Sequence, residues 1–177
     1  LREDIEIDAS GSAMRLRVLI QAPLEQIWAV VVSCENAFVF VDGLELCRVL
    51  KDMGDRALIH PVVDKGFLMP EQEFTFEAIH QPYRRMDFAL AGGSLKAMEG
   101  YWAFDPTDEG VLLTYQMHID PGALAPKFLV RKNLRKTMPA MLACVRALAD
   151  GSGSDARRAE DFSRCPGKPP TPTADRP

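Results

Sequence analysis

The sequence predicts an α+β fold in which a curved antiparallel sheet wraps one long carboxy-terminal helix. Three observations carry that expectation. From residue 44 onward, period-two segments follow one another with only short turns between them, and strands joined so closely must pair antiparallel. Leu134, Met138, Met141, Val145 and Leu148 are spaced 4, 3, 4 and 3 apart, which is one apolar stripe along a helix. Between these lie Met98-Glu99-Gly100-Tyr101-Trp102-Ala103-Phe104-Asp105-Pro106, a turn, an alternating strand and a Pro-Gly break. The helix then opens with Pro126-Lys127-Phe128-Leu129-Val130-Arg131.

The elements follow in order. Met14, Leu16, Val18 and Ile20 alternate with Arg15, Arg17 and Leu19, a strand with one buried face. Ala22-Pro23 ends it, and proline suits the first turn of a helix. Leu24, Ile27, Trp28 and Val31 recur at helical spacing, so a short helix is expected over 23–33, with one further turn possible over 36–41 before Asp42-Gly43. Strands are expected over 44–51, 56–63, 71–79, 84–91, 95–104 and 111–119, giving six or seven in all. A loop holding Phe67 and Leu68 lies between Lys65-Gly66 and Met69-Pro70, and Gly92-Gly93 breaks the chain again. The final helix is expected over about 126–149, with Pro139 inside it.

Composition bounds the function. The chain has 177 residues, 47% of them hydrophobic, enough for one domain with a substantial core over 1–150. No apolar run approaches the ~20 residues of a membrane-spanning helix. The formal charge of −4 argues against nucleic acid as a partner. A soluble protein is expected, in the cytoplasm rather than the periplasm; the periplasm stays open because the chain begins with Leu1. Residues 151–177 are Gly/Ser-rich, then charged, then Pro-rich, and read as a disordered tail. Cys34, Cys47, Cys144 and Cys165 form neither a Cys-x-x-Cys nor a zinc-type spacing, so free thiols are expected, buried for the first three, and no disulfide framework.

Six or seven strands that each bury one face against a single helix must curve, and the curve leaves space the helix does not fill. The inward register predicts that Phe74, Phe76, Met86, Phe88, Leu90, Trp102, Phe104, Tyr115, Met117, Met138 and Met141 line it, beside Val145. Large apolar side chains with a few polar tips suit a ligand pocket, and methionine adapts to irregular contents.

Ala22-Pro23-Leu24-Glu25-Gln26-Ile27-Trp28, Gly92-Gly93, Met98-Glu99-Gly100-Tyr101-Trp102 and the helix entry at 126–131 resemble the START-like, or SRPBCC, superfamily. Within it the chain is most similar to the polyketide cyclase/dehydrase and coenzyme Q-binding group, over about residues 14–149. The resemblance implies a helix-grip fold with a deep apolar cavity. It also implies binding of lipids, quinones, polyketides or other hydrophobic molecules, with only some members enzymes. Where relatives often carry an aromatic and Pro-rich segment, this chain has Cys34-Glu35-Asn36-Ala37-Phe38-Val39-Phe40-Val41, a departure that bears on quinone specificity.

No Gly-rich phosphate loop, nucleophile elbow or metal-ligand cluster is present, so no cofactor, metal or catalytic residue is assigned. His118 falls on the solvent face, His80 reads as a turn residue, and His60 sits in an apolar strand where it could point inward. The favoured reading is a non-enzymatic binder of a hydrophobic small molecule. The alternative is a polyketide cyclase or dehydratase using the same cavity, with His60 or Tyr115 as proton carrier. Arg131, Lys132, Arg135 and Lys136 form a basic cluster suited either to solvent or to an anionic membrane surface.

Overall fold

In the computed structural model, the described residues form eight strands in one antiparallel sheet, in the order β1-β2-β8-β7-β6-β5-β4-β3. The structure describes residues 6–8, 13–66, 70–149 and 155–168; Phe67 and Leu68 therefore lie outside the described residues. The strands are β1 (Glu6–Asp8), β2 (Ala13–Ile20), β3 (Leu44–Asp52), β4 (Arg56–Val63), β5 (Gln72–Gln81), β6 (Arg85–Gly93), β7 (Ala97–Thr107) and β8 (Gly110–Asp120). Strands β3 to β8 make a meander, while β2 lies beside β8 at the far side. The helices α1 (Leu24–Val32) and α2 (Cys34–Phe40) carry the chain from β2 across to β3 at the opposite edge. Ser33 separates them in extended conformation, and its Oγ accepts the Asn36 N–H at 3.3 Å, capping α2. The short 36–41 segment is thus a helix in its own right.

The helix α3 (Lys127–Ala149) runs through Pro139 as one element and packs against α1, α2 and β2. The alternation of β2 puts Met14, Leu16, Val18 and Ile20 into the core, where they meet Met138, Met141, Leu142 and Val145 of α3. The curved sheet gripping a carboxy-terminal helix is the expected fold. At one end of the sheet Trp28 of α1 contacts Phe104, His80 and Tyr83, with centroids 5.1, 5.8 and 5.8 Å away. Burial lowers the pKa of His80 against the pull of Asp52 and Asp55, so its ring stays neutral at the edge of Trp28.

Gly100 has a specific reason to be glycine. A Cβ there would collide with the Gln116 carbonyl of β8 and with the ring of Phe88. The bare backbone leaves room for the tip of the Phe88 ring against β7.

Two expectations need correction. The cysteines are not free: Cys34 pairs with Cys47 and Cys144 with Cys165. The reversal at Gly43 brings α2 back alongside β3, which joins the first pair across 13 residues. The second pair depends on the segment read as a structureless tail. Within it, residues 155–163 form α4 (Asp155–Ser163), which packs on α3, and the chain continues along α2. There Gly167 N–H donates to Val39 O at 3.0 Å and Lys168 N–H to Phe38 O at 2.7 Å. The tail composition is polar, yet its order rests on few apolar contacts. It is held by the Cys144–Cys165 bond and by Arg146, whose guanidinium donates to both Asp161 oxygens at 2.7 Å. That pair is almost fully buried, with side chains 5% and 6% exposed.

Removing one partner of a buried ion pair takes from the other the charge that offsets its desolvation. Asp161→Ala should therefore lower unfolding stability by ~3–5 kcal/mol, measured by denaturant titration. The double variant Arg146→Met/Asp161→Leu should lose much less, because neither charge of the pair is left buried without the other.

An apolar cavity under the final helix

Between the concave face of the sheet and α3 lies a cavity of about 270 Å³. Its walls come from β3 to β8, α1, α2 and α3 from Val130 to Met141. At its centre Tyr115 of β8 is stacked between Trp102 of β7 and Phe88 of β6, with centroids 4.2 and 6.0 Å away. Phe40 of α2 meets Trp102 edge-on at 6.4 Å, and Phe74, Phe76 and Phe88 follow one another along the wall at 6.2–6.4 Å. This aromatic lining arises from register: Phe88, Gly100 and Met117 are neighbours across three strands, as are Met86, Trp102 and Tyr115. Alternate residues of β6, β7 and β8 therefore face α3.

Nine of the eleven residues expected at the cavity are on its wall: Phe74, Phe76, Met86, Phe88, Trp102, Tyr115, Met117, Met138 and Met141. Two are not. Phe104 has the right register but lies farther along β7, buried against Trp28. Leu90 shares the face of Phe88 and is half-buried against the core, past the cavity wall. Val145 is also core, fully buried beneath α3. The sequence reading missed the contributions of α2, such as Ala37 and Phe40. It also missed the rim, where Asp42, Lys65, Gln72 and Asn133 stand.

His60 does not point inward. Its Nδ1 lies 3.0 Å from Thr75 Oγ1 and its Nε2 3.0 Å from Glu73 Oε1, both on the outer face of β5. The inward residues of β4 are instead Pro61 and Val63, which line the cavity. His118 lies on the outer face, as expected, bordering a depression with Glu77, Asp87, Glu99 and Tyr101. The cationic cluster is exposed along one side of α3, and Phe128 beside it is 69% exposed.

Tyr115 is the one phenol on the cavity wall among the described residues. Its hydroxyl donates to Met117 Sδ at 3.1 Å, and burial pushes its pKa well above 10.0. It is a neutral hydrogen-bond donor rather than a base. At the rim, Lys65 Nζ donates to Asn133 Oδ1 at 2.8 Å. Burial lowers the Lys65 pKa, and the more distant Asp42 carboxylate partly offsets this. Among the described residues, no group of three or more His, Cys, Asp or Glu could hold a metal ion. No helix among them is long and apolar enough to cross a membrane.

A helix-gripping sheet over an apolar cavity is the architecture of this chain, and the comparisons give the family. The profile of the family described as polyketide cyclase / dehydrase and lipid transport matches residues 20–146, and the chain belongs to it. A STAR-related lipid transfer protein fragment from Xanthomonas axonopodis is similar in structure, with a TM-score of 0.71 and 16% identity. That match covers 85% of this chain and 96% of the other. The Zhui aromatase/cyclase from Streptomyces sp. R1128 has a TM-score of 0.65 and 17% identity, covering 77% of this chain and 92% of the other. At these identities the likeness shows the fold. No curated protein matches the chain in sequence.

The Tyr115 proton ties stability to alkaline pH. The folded state keeps that proton while the unfolded chain releases it near pH 10.0. The unfolded state thus binds fewer protons there, and stability falls as pH rises past that value. Denaturation midpoints taken across this range should drop for the wild type, and Tyr115→Phe should flatten part of that slope.

Proposed function

We propose that this protein binds a hydrophobic small molecule in the cavity and carries it without chemical change. The observation behind this reading is the lining: phenylalanine, tryptophan and methionine side chains enclosing an unfilled space of about 270 Å³. Water in that space would find few hydrogen-bond partners on the wall. Burying ~200 Å² of ligand there would contribute on the order of 5 kcal/mol before entropic costs. Phe88, Trp102, Tyr115, Met117, Met138 and Met141 are the proposed contacts.

A second reading, a cyclase or dehydratase on a polyketide-like substrate, draws support from the family description and from the Zhui aromatase/cyclase neighbour. With His60 on the outer face, Tyr115 remains of the two proton carriers first considered. Its raised pKa and its bond to a thioether make it a poor acid and a worse base. Carriage is therefore favoured. Native mass spectrometry of the purified protein, with organic extraction, should reveal an apolar ligand that leaves with its mass unchanged. Protein that arrives empty and takes up no apolar probe would reject carriage, and Tyr115-dependent conversion of a bound polyketide would install the cyclase.

The cationic side of α3 extends the proposal. Arg131, Lys132, Arg135 and Lys136 flank the amino-terminal half that roofs the cavity, and exposed Phe128 projects beside them. Such a face suits an anionic bilayer, where each cation contributes about 1 kcal/mol and an aromatic ring inserts at the interface. Vesicles rich in phosphatidylserine should sediment the protein, whereas Arg131→Glu/Arg135→Glu should leave it in the supernatant. Two disulfides also fit an oxidising compartment better than a reducing cytoplasm.

A further inference from the structure

The apolar cavity has a polar rim, and its groups are not equally occupied. Gln72 is spent: its Nε2 donates to Pro70 O at 3.0 Å and its Oε1 accepts from Ser94 Oγ at 3.1 Å. Thr137 is spent as well, since its hydroxyl donates to the Asn133 carbonyl at 3.0 Å. Lys65 differs. Its ammonium carries three N–H donors, and among the described residues one is used, on Asn133 Oδ1 at 2.8 Å. The Asn133 amide N–H groups have no acceptor among the described residues, and both side chains border the cavity.

This donor pair is built into the fold rather than left to loose side chains. Lys65 sits in a turn after β4 that is pinned twice. Asp64 N–H donates to Gly43 O at 2.8 Å, and Gly66 N–H donates to Asp64 Oδ1 at 2.8 Å. Gly43 and Gly66 both take positive φ, 72° and 85°, which a side chain would resist. A Cβ on Gly43 would also run into the Asp64 carbonyl and the stem of Lys65. Asn133 is fixed on α3, one turn before Thr137. The opposing charge, Asp42, acts on the ammonium through space and forms no ion pair with it.

We propose that Lys65 and Asn133 form a head-group site that holds the carboxylate of a long-chain acid while its tail fills the cavity. This rests on the carrier reading above and names the class of its ligand. The two carboxylate oxygens match two adjacent donors, one charged and one neutral. A bond of this type between ionised partners is roughly twice as strong as a neutral one. An alcohol or ester of the same chain length satisfies the cavity equally and the head-group site poorly.

The test compares decanoate with 1-decanol by calorimetry at neutral pH. The wild type should bind decanoate at least ~10-fold more tightly, a difference of about 1.4 kcal/mol. Lys65→Met should erase that preference and leave decanol affinity unchanged, Lys65→Arg should keep most of it, and Asn133→Ala should reduce it a few-fold. Unchanged decanol binding also certifies that each variant is folded. Equal affinity of the wild type for the two probes, or a preference that survives Lys65→Met, overturns the head-group site and leaves the carrier reading standing. Failure of the wild type to bind either probe overturns both.

Discussion

Everything in this molecule follows from one packing constraint: a single helix must cover the concave face of an eight-stranded sheet. Strands β2 and β4 to β8 each offer an apolar row, while α3 offers one stripe. The mismatch is resolved differently at the two ends. Where β2 and α1 close in, Leu16, Val18, Ile20, Leu113 and Leu142 are fully buried and the core is solid. Beside the amino-terminal part of α3 the same sheet face borders the cavity. Core and cavity share residues and register; they differ in how far the facing element stands away.

That arrangement makes the outer side of α3 as important as its inner side. Cys144, Arg146 and Ala147 are buried although they do not belong to the sheet-facing stripe. They are covered by α4 and the chain after it, through one disulfide and one buried ion pair. An ion pair there is weak evidence for stability, since its desolvation offsets much of its attraction. Its geometry does fix which residues of α4 and α3 meet, because the guanidinium fork accepts one orientation of the carboxylate.

Periodic features were legible in the sequence and solitary ones were not. The strands and α3 announce themselves because each repeats its signal several times over. Trp102 and Tyr115 were placed on the wall from alternation alone. Phe104 shows the limit of that method, since alternation gives the face of a strand but not the distance along it. His60 shows another: Leu58-Ile59-His60-Pro61-Val62 is apolar on both faces, so parity carries no information there. The disulfides, the Arg146–Asp161 pair and the Lys65–Asn133 contact join positions 13 to 68 residues apart. Such pairings exist only once the chain has folded. An arginine within Cys144-Val145-Arg146-Ala147-Leu148 was the one available hint, because a charge in so apolar a run calls for a partner.

The cross-link at Cys144 has a mechanical consequence. It and the buried ion pair act on the carboxy-terminal half of α3, while the cavity and the cationic face belong to the amino-terminal half. The two halves of the helix are thus held by different means: covalent and ionic links at the carboxy-terminal half, and the Lys65–Asn133 hydrogen bond beside the cavity. The covalent and ionic clamp joins the carboxy-terminal half of α3 to α4 and, through Gly167 and Lys168, to α2.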